Sequence, residues 1–475
     1  LNEITALNNI PEKLDRAIKT VIDTHLVSNV YKRTIEGEKY YRTDNVEINA
    51  RKHYVYAQDD KGDPQLIEDP YKANNKMASS FLKIQVDQKV AYSLGRPLTY
   101  EDENDEPADD FVETLGRNFA KTLRKIGKAA AKSSVGWGMP NITPDGAFEL
   151  VHIPSSQVIA VYKDIDSEEL EYGIRMYEVT AIKQDGTFGK TTQVEVWDDE
   201  LVTIYRKNID TSVYELLTLD NIPNPRYHFS RVKKYGETSV EEQGQSWGKV
   251  PFVPLYNNDE LEYDLKPIKS FVDVYDIVQS DFANNLEDFQ DVFWVLKGYG
   301  GTNVSKLLED VKLYKSLRVG TDGDARAETI DIPHKARQVM LENLETAIYK
   351  FGMAVDPSKT KGGSLTNVHI KAMFANLDLK ASEFEQQVRD FIWRLLYFVN
   401  TYRQQARQQP TTLKKIRFDR SMIINEAELL EANAGQLGTV SDETRLGNHP
   451  WVDDVEAEKE RLEAEKGAIT ITDEG

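Results

Sequence analysis

From residue 370 onward the chain places an apolar residue at every third or fourth position: Ile370, Phe374, Leu377, Ala381, Phe384, Val388, Phe391, Leu395, Phe398 and Tyr402. Steps of four and three in alternation predict one amphipathic helix over 369–404. At 1.5 Å per residue it runs roughly 50 Å. A seam that long is more than one compact domain is expected to cover, so the helix should cross a whole particle or pack on neighbouring copies. The same period runs through Ile268, Phe271, Tyr275, Val278, Phe282, Leu286, Phe289 and Phe293, and again through Leu341, Leu344, Ile348, Phe351 and Val355. Nearer the N-terminus, Leu14, Ile18, Val21, Ile22 and His25 predict a helix over 10–34. Residues 70–95 predict another, stopped by Gly95-Arg96-Pro97. A further helix is predicted over 111–134.

Between about 147 and 256 the period falls to two. VIAVYK, YGIRMYEV, TQVEVW, LVTIYRK and VYELLTL are short alternating runs separated by turn residues, which predicts an antiparallel β-rich region. Two of the helical seams bracket a different texture. VFWVLKGYGG reads as a strand running into glycines, and RVGTDGDARAETIDIP has hairpin chemistry around Asp322-Gly323-Asp324. Residues 292–333 are therefore expected to form a small αβ insert. The tail, 405–475, holds one strand-like run, KKIRF, and then charged helices. Pro450 suits a first helical turn, and Glu458–Arg461, Lys459–Glu463 and Arg461–Glu465 are helix-surface pairs. The fold class read from these periods is α+β.

Charge and composition narrow the chemistry. A chain of 475 residues is too long for a single core, so two to four domains are expected. Its 40% hydrophobic content argues against global disorder. No apolar run approaches the ~18 residues of a membrane span, and no signal pattern opens the chain, so an intracellular soluble protein with no membrane partner is expected. There is no cysteine, which removes thiolate zinc sites and cysteine nucleophiles. The histidines at 25, 53, 152, 228, 334, 369 and 449 are scattered without metal-ligand spacing, so no metal and no cofactor are expected. Gly189-Lys190-Thr191 mimics the end of a phosphate-binding loop. Gln184 stands where that loop needs glycine, and the context is strand–turn–strand.

The net charge is −20. Duplex binding depends on neutralising phosphates, so any nucleic-acid contact must be confined to small patches. Two local patterns stand out. Residues 101–110, EDENDEPADD, hold seven acids in ten positions. On the following helix Arg117, Lys121, Arg124, Lys125, Lys128 and Lys132 recur with no acid among them, a basic stripe expected to pair with an acidic neighbour such as 101–110. The helix from 266 shows the reverse: Asp273, Asp276, Asp281, Glu287, Asp288 and Asp291 against Lys269 alone.

The stretch AVDPSKTKGGSLTNVHIK, 354–371, interrupts two helical runs without bringing a nucleophile, base or metal ligand. Gly362 and Gly363 give it backbone freedom. Lys359 and Lys361 bring positive charge, Ser358, Thr360 and Ser364 bring hydroxyls, and Asn367 stands at its far end.

The order of these elements resembles the portal proteins of tailed double-stranded DNA bacteriophages, in the branch with long non-contractile tails. The resemblance is carried by KIQVDQKVAYSLGRPL (83–98), IKSFVDVYDIVQSDFANNLEDFQDVFWVLKGYG (268–300), LENLETAIYKFGMAVDPS (341–358), HIKAMFANLDLKASEFE (369–385) and VSDETRLGNHPWVDDVEAEKERLEAE (440–465). Where many relatives have a Ser-Gly-hydrophobic-Ala step, this chain reads Thr366-Asn367-Val368-His369. The resemblance implies a non-enzymatic ring, commonly of twelve subunits, around an axial DNA channel. It implies a wing over 1–263 together with the long helix 369–404, stem helices over 264–291 and 334–356, a clip over 292–333 and a helical crown over 405–475. Residues 357–368 then fall at the tunnel loop, facing DNA without sequence preference, and the acids of the first stem helix become candidates for a channel wall that repels phosphates. Implied partners are double-stranded DNA, the terminase, head-completion or adaptor proteins, and capsid and scaffold proteins. The implied location is the virion's portal vertex, after assembly in the host cytoplasm. Other readings of the same residues are a different head–tail adaptor or capsid protein, or a packaging-motor nuclease or ATPase.

Overall fold

The computed structural model describes residues 11–58, 64–69, 72–164, 167–183, 185–218, 222–235, 239–288, 293–297, 324–328, 334–360, 366–420, 430, 433–436, 439–447, 449, 451–452 and 455–472. The first helical seam is cut in two, α1 (Pro11–Val27) and α2 (Asn29–Tyr41), followed by a short α3 (Val46–Ala50). The cut is at Ser28, whose extended backbone and side-chain oxygen, accepting from Tyr31 N–H, start a new helix. A hairpin, β1 (Tyr54–Gln58) and β2 (Pro64–Glu68), comes next. The helix expected from residue 70 begins only at α4 (Phe81–Leu94).

After β3 (Thr99–Glu101), the helix expected over 111–134 is likewise two, α5 (Asp109–Leu115) and α6 (Phe119–Ser133). Gly116 separates them at φ +70°, a backbone setting that glycine adopts at no steric cost.

The β-rich region forms two main sheets. β4 (Val135–Ile142), β5 (Phe148–Ile153) and β14 (Val253–Tyr256) pair in the order β14-β4-β5. β6 (Val158–Tyr162), β7 (Leu170–Ile182), β8 (Phe188–Trp197), β9 (Leu201–Lys207) and β10 (Tyr214–Leu216) form an antiparallel meander, with β11 (Arg226–Tyr227) also paired to β9. Gly189, Lys190 and Thr191 lie inside β8, in register with β7, and form no loop. β12 (Phe229–Tyr235) and β13 (Ser239–Gln245) make a separate hairpin.

Two long helices follow, α7 (Lys269–Asp288) and α8 (His334–Phe351). Between them the backbone of β15 (Phe293–Lys297) pairs with β16 (Asp324–Glu328). A 3₁₀ turn, Pro357–Thr360, precedes α9 (Asn367–Gln405), a helix of 39 residues. β17 (Lys415–Arg417) pairs with β3, and α10 (Asp442–Gly447) and α11 (Val455–Thr472) end the described chain.

The seam of α9 is covered within its own chain, contrary to the expectation that neighbours are needed. Phe384, Val388, Phe391, Ile392 and Leu395 are fully buried against Leu123 and Ile126 of α6, Leu150 of β5 and Leu255 of β14. Burying one such side chain contributes ~1.5–3 kcal/mol. Toward its N-terminal end the same helix packs Ile370, Phe374 and Leu377 on Tyr92 and Val355. The seam thus spans two clusters of one subunit. A third cluster, with Tyr40, Leu82, Val86, Ile268, Val272 and Ile348, joins α2, α4, α7 and α8 where the helix pair leaves the body. α1 covers the meander through Ile18 and Ile22, which meet Ile159, Ile174 and Val194.

Candidate channel site and the base of the helix pair

The candidate loop begins at the end of α8. Met353 takes a positive φ of 54° and Ala354 N–H donates back to Tyr349 O, which stops the helix. Asp356 then accepts from both the N–H and the hydroxyl of Ser358, at 2.9 and 2.6 Å, folding the 3₁₀ turn. At the far side the Thr366 side chain accepts from His369 N–H, capping α9, with Asn367 as its first residue. Here Thr366-Asn367-Val368-His369 is a capped helix start, and Val368 is open to solvent. Ser358 is exposed but tied to Asp356. Lys359 and Thr360 belong to the turn, and their side chains lie outside the described residues, as do Lys361, Gly362, Gly363 and Ser364 altogether.

Both margins of this segment are held by the body. Gln88 of α4 exchanges two hydrogen bonds with Val355, accepting from its N–H at 2.9 Å and donating to its carbonyl at 3.1 Å. Gln85 donates to Ile348 O, and Lys380 of α9 donates to Gly352 O at 2.9 Å. Lys380 also reaches Asp264, 3.3 Å away, at the root of α7. Asp264 and Lys89 are both buried and pair at 2.8 Å, while Lys89 donates to Asn257 Oδ1 at 2.6 Å. Burial alone would raise the Asp264 carboxyl, but Lys380, Lys89 and the donor from Asn257 outweigh it and hold it at about 2. Burial brings the Lys89 ammonium down to about 8, although Asp264 opposes the shift. One buried carboxylate therefore ties α4, the start of α7 and α9 together, and Lys380 carries the tie on to the end of α8.

The acids of α7 sit differently from expectation. Asp276 is fully buried, so it cannot face a channel. It accepts from Ser79 N–H at 2.9 Å and from Asn45 Nδ2 at 2.5 Å, and burial raises its carboxyl above the usual range despite these donors. Asp273 accepts from Tyr40 O–H at 2.5 Å and pairs with Lys269 at 2.8 Å. Asp281 pairs with Arg51 at 2.8 Å. Exposed Glu287 accepts from Asn75 Nδ2. The side chain of Asp288 and all of Asp291 lie outside the described residues.

The cause is a strap. Residues 72–80, predicted to be helical, run extended along α7. Asn75, Met77 and Ser79 each donate a backbone N–H to a side chain of that helix: Asn284 Oδ1, Ser280 Oγ and Asp276 Oδ1. These three residues escaped the sequence reading. Their signal is the Asp276-x₃-Ser280-x₃-Asn284 spacing, a polar stripe on one helical face.

The basic stripe of α6 is also only partly as expected. Lys128 pairs with Asp87 at 2.6 Å and Lys132 with Glu38 at 2.7 Å, so its acidic partners come from α4 and α2. The 101–110 segment turns elsewhere: Asp105 pairs with Lys414, Glu101 with Arg417, and Asp110 with Arg403. Arg117, Lys121, Arg124 and Lys125 stay exposed. Among the described residues no three His, Asp or Glu side chains gather as a metal site, and no helix is long and apolar enough to cross a membrane.

A family model described as phage portal protein, SPP1 Gp6-like, matches residues 23–471. The portal protein of Bacillus phage SPP1 is 29% identical over 474 residues, covering 98% of this chain and 89% of that protein. The portal protein of Clostridium phage phiCD119 is 28% identical over 449 residues, covering 88% and 93%. Among solved structures, a chain from the neck of a native GTA particle aligns at a TM-score of 0.38 and 11% identity over 77% of this chain and 87% of that one.

Proposed function

This chain belongs to the SPP1 Gp6-like phage portal protein family, and we propose that its copies close into a ring at one capsid vertex, through which double-stranded DNA is packaged and later ejected. The observation that carries the ring-and-channel reading is the α7–α8 pair. It is anchored by the Tyr40–Ile348 cluster, brackets residues 289–333 and is followed at once by the short break before α9. On this reading α7 and α8 are the stem, 292–333 the clip that meets a head-completion protein, 405–475 the crown and 357–368 the DNA-facing collar. We read the ring as one of twelve at the virion's portal vertex, with scaffold and capsid proteins as assembly partners in the host cytoplasm and terminase docking during packaging. The role is mechanical, without catalysis by this chain.

Lys359 and Lys361 serve as brief, salt-sensitive contacts to passing phosphates, which need no base recognition. Because Asp273, Asp276 and Asp281 are committed within the subunit, the acidic wall is reduced to Glu287, Asp288 and Asp291. The test is a Lys359→Ala, Lys361→Ala chain in an infectious or reconstituted packaging system. Nuclease-protected DNA is expected to fall while rings still form. Unchanged packaging and unchanged DNA retention would remove the collar.

A further inference from the structure

The β1–β2 hairpin stands without a core. Tyr54 pairs across it with Glu68, Val55 with Ile67 and Tyr56 with Leu66, so apolar pairs occupy both of its faces. Every side chain described in it is exposed, with Tyr56 at 76% and Leu66 at 53%. An isolated two-stranded hairpin is at best marginally stable in water, and it gains stability by laying an apolar face on a helix or another strand. Its own subunit supplies none among the described residues.

Where the hairpin is rooted identifies its cover. Arg51, three residues before β1, is fixed to Asp281 of α7 at 2.8 Å. At that same level Arg337 of α8 donates to the carbonyl of Asp281, and His334 lies against Phe282. Within one turn beyond Arg337, α8 leaves Val339 54% and Met340 43% exposed. In a ring whose axis runs along the stem, rotation from one copy to the next changes no residue's height. The root of one copy's hairpin, at Arg51, and the Val339–Met340 face of the next are then level. A five-residue strand spans about 16 Å, so the hairpin can reach well away from its root. A closing head-to-tail ring needs two different, complementary patches on each subunit, and these two qualify.

We propose that the β1–β2 hairpin is an arm that packs Tyr56 and Leu66 on Val339 and Met340 of the adjacent copy. This rests on the ring reading of the preceding section. The chain has no cysteine, so placed thiols report without background. Full-length chains carrying Tyr56→Cys with Val339→Cys, or Tyr56→Cys with Met340→Cys, are treated with a short bismaleimide, beside the single variants. The expected result is a denaturing-gel ladder of covalent multimers from the double variants and none from the singles. Rings visible by electron microscopy with no ladder would overturn the arm and leave the ring intact. Wild-type chains that form no ring would overturn both. A second variant, Tyr56→Lys with Leu66→Lys, is expected to raise the subunit concentration needed for rings about tenfold or more while the monomer's melting midpoint stays put. Unchanged ring assembly in that variant would also overturn the arm, and would show that the hairpin serves solvent or another protein.

Discussion

The backbone N–H of Ser79 donates to Oδ1 of Asp276 at 2.9 Å, and this bond is one rung of a ladder. Met77 and Asn75 add rungs to Ser280 and Asn284. The match is geometric: two residues of extended chain advance about 6.6 Å, and four residues of helix about 6 Å. A strap with alternate N–H groups facing one way therefore keeps step with a helix carrying acceptors every fourth residue. Asp276→Leu strands the N–H of Ser79 and takes from Asn45 Nδ2 one of its two acceptors, leaving Ser79 O, and is expected to cost on the order of 3 kcal/mol. Asp276→Asn is expected to cost less, because its Oδ1 still accepts from Ser79 N–H while Asn45 Nδ2 keeps Ser79 O. Urea unfolding of the two variants separates these outcomes.

Asp264 gives the fold an acid-sensitive joint. Its carboxyl titrates at about 2 in the fold against the usual 3.8. A depressed value means that the stabilisation is present above 3.8 and is lost as pH falls toward 2. Asp264→Asn leaves Lys89 and Lys380 facing no carboxylate and is expected to cost roughly 3–5 kcal/mol at neutral pH. The gap between wild type and variant should narrow as unfolding is followed from pH 5 down to pH 2. A constant gap would show that the joint does not depend on that charge.

Gly37 lets α2 lie directly on α6. A Cβ at this position would sit 1.9 Å from the carbonyl oxygen of Lys132, which is backbone and cannot turn aside. Gly37→Ala is therefore expected to push the helices apart at a cost of about 1–3 kcal/mol, as overpacking does. Thermal unfolding of the variant measures it.

Arg403 binds the far end of α9 to α5. Its buried guanidinium donates to Gln409 O, Asp110 O, Thr114 Oγ1 and Asp110 Oδ2, at 2.7 to 3.0 Å. Lysine keeps the charge but not the fork. Arg403→Lys is expected to lose about 1–3 kcal/mol, with amide exchange quickening first at the C-terminal end of α9.

The α9 seam was legible because its period never breaks, and so was the change to period two over the sheets. The cut at Ser28 and the cut at Gly116 each rest on one residue inside an otherwise helical pattern. The strap at 72–80 has no local signal, because its backbone bonds go to side chains roughly 200 positions away. Asp273, Asp276 and Asp281 were misassigned for a related reason: a carboxylate on a helix reads alike whether water or a partner in its own subunit faces it. The cover of α9 was misjudged because β5, β14 and α6, distant in sequence, converge on it. The collar lysines remain a reading of composition and family order.

Ring closure with the helix pair around the axis is what the proposed function requires. Electron-microscope averages of the purified full-length chain, viewed down the symmetry axis, test it most directly. A closed ring is expected, with an axial hole, α7 and α8 around it and the 3₁₀ turn Pro357–Thr360 on its inner wall. Monomers at high concentration, or rings that carry that turn on the outer rim, would contradict it.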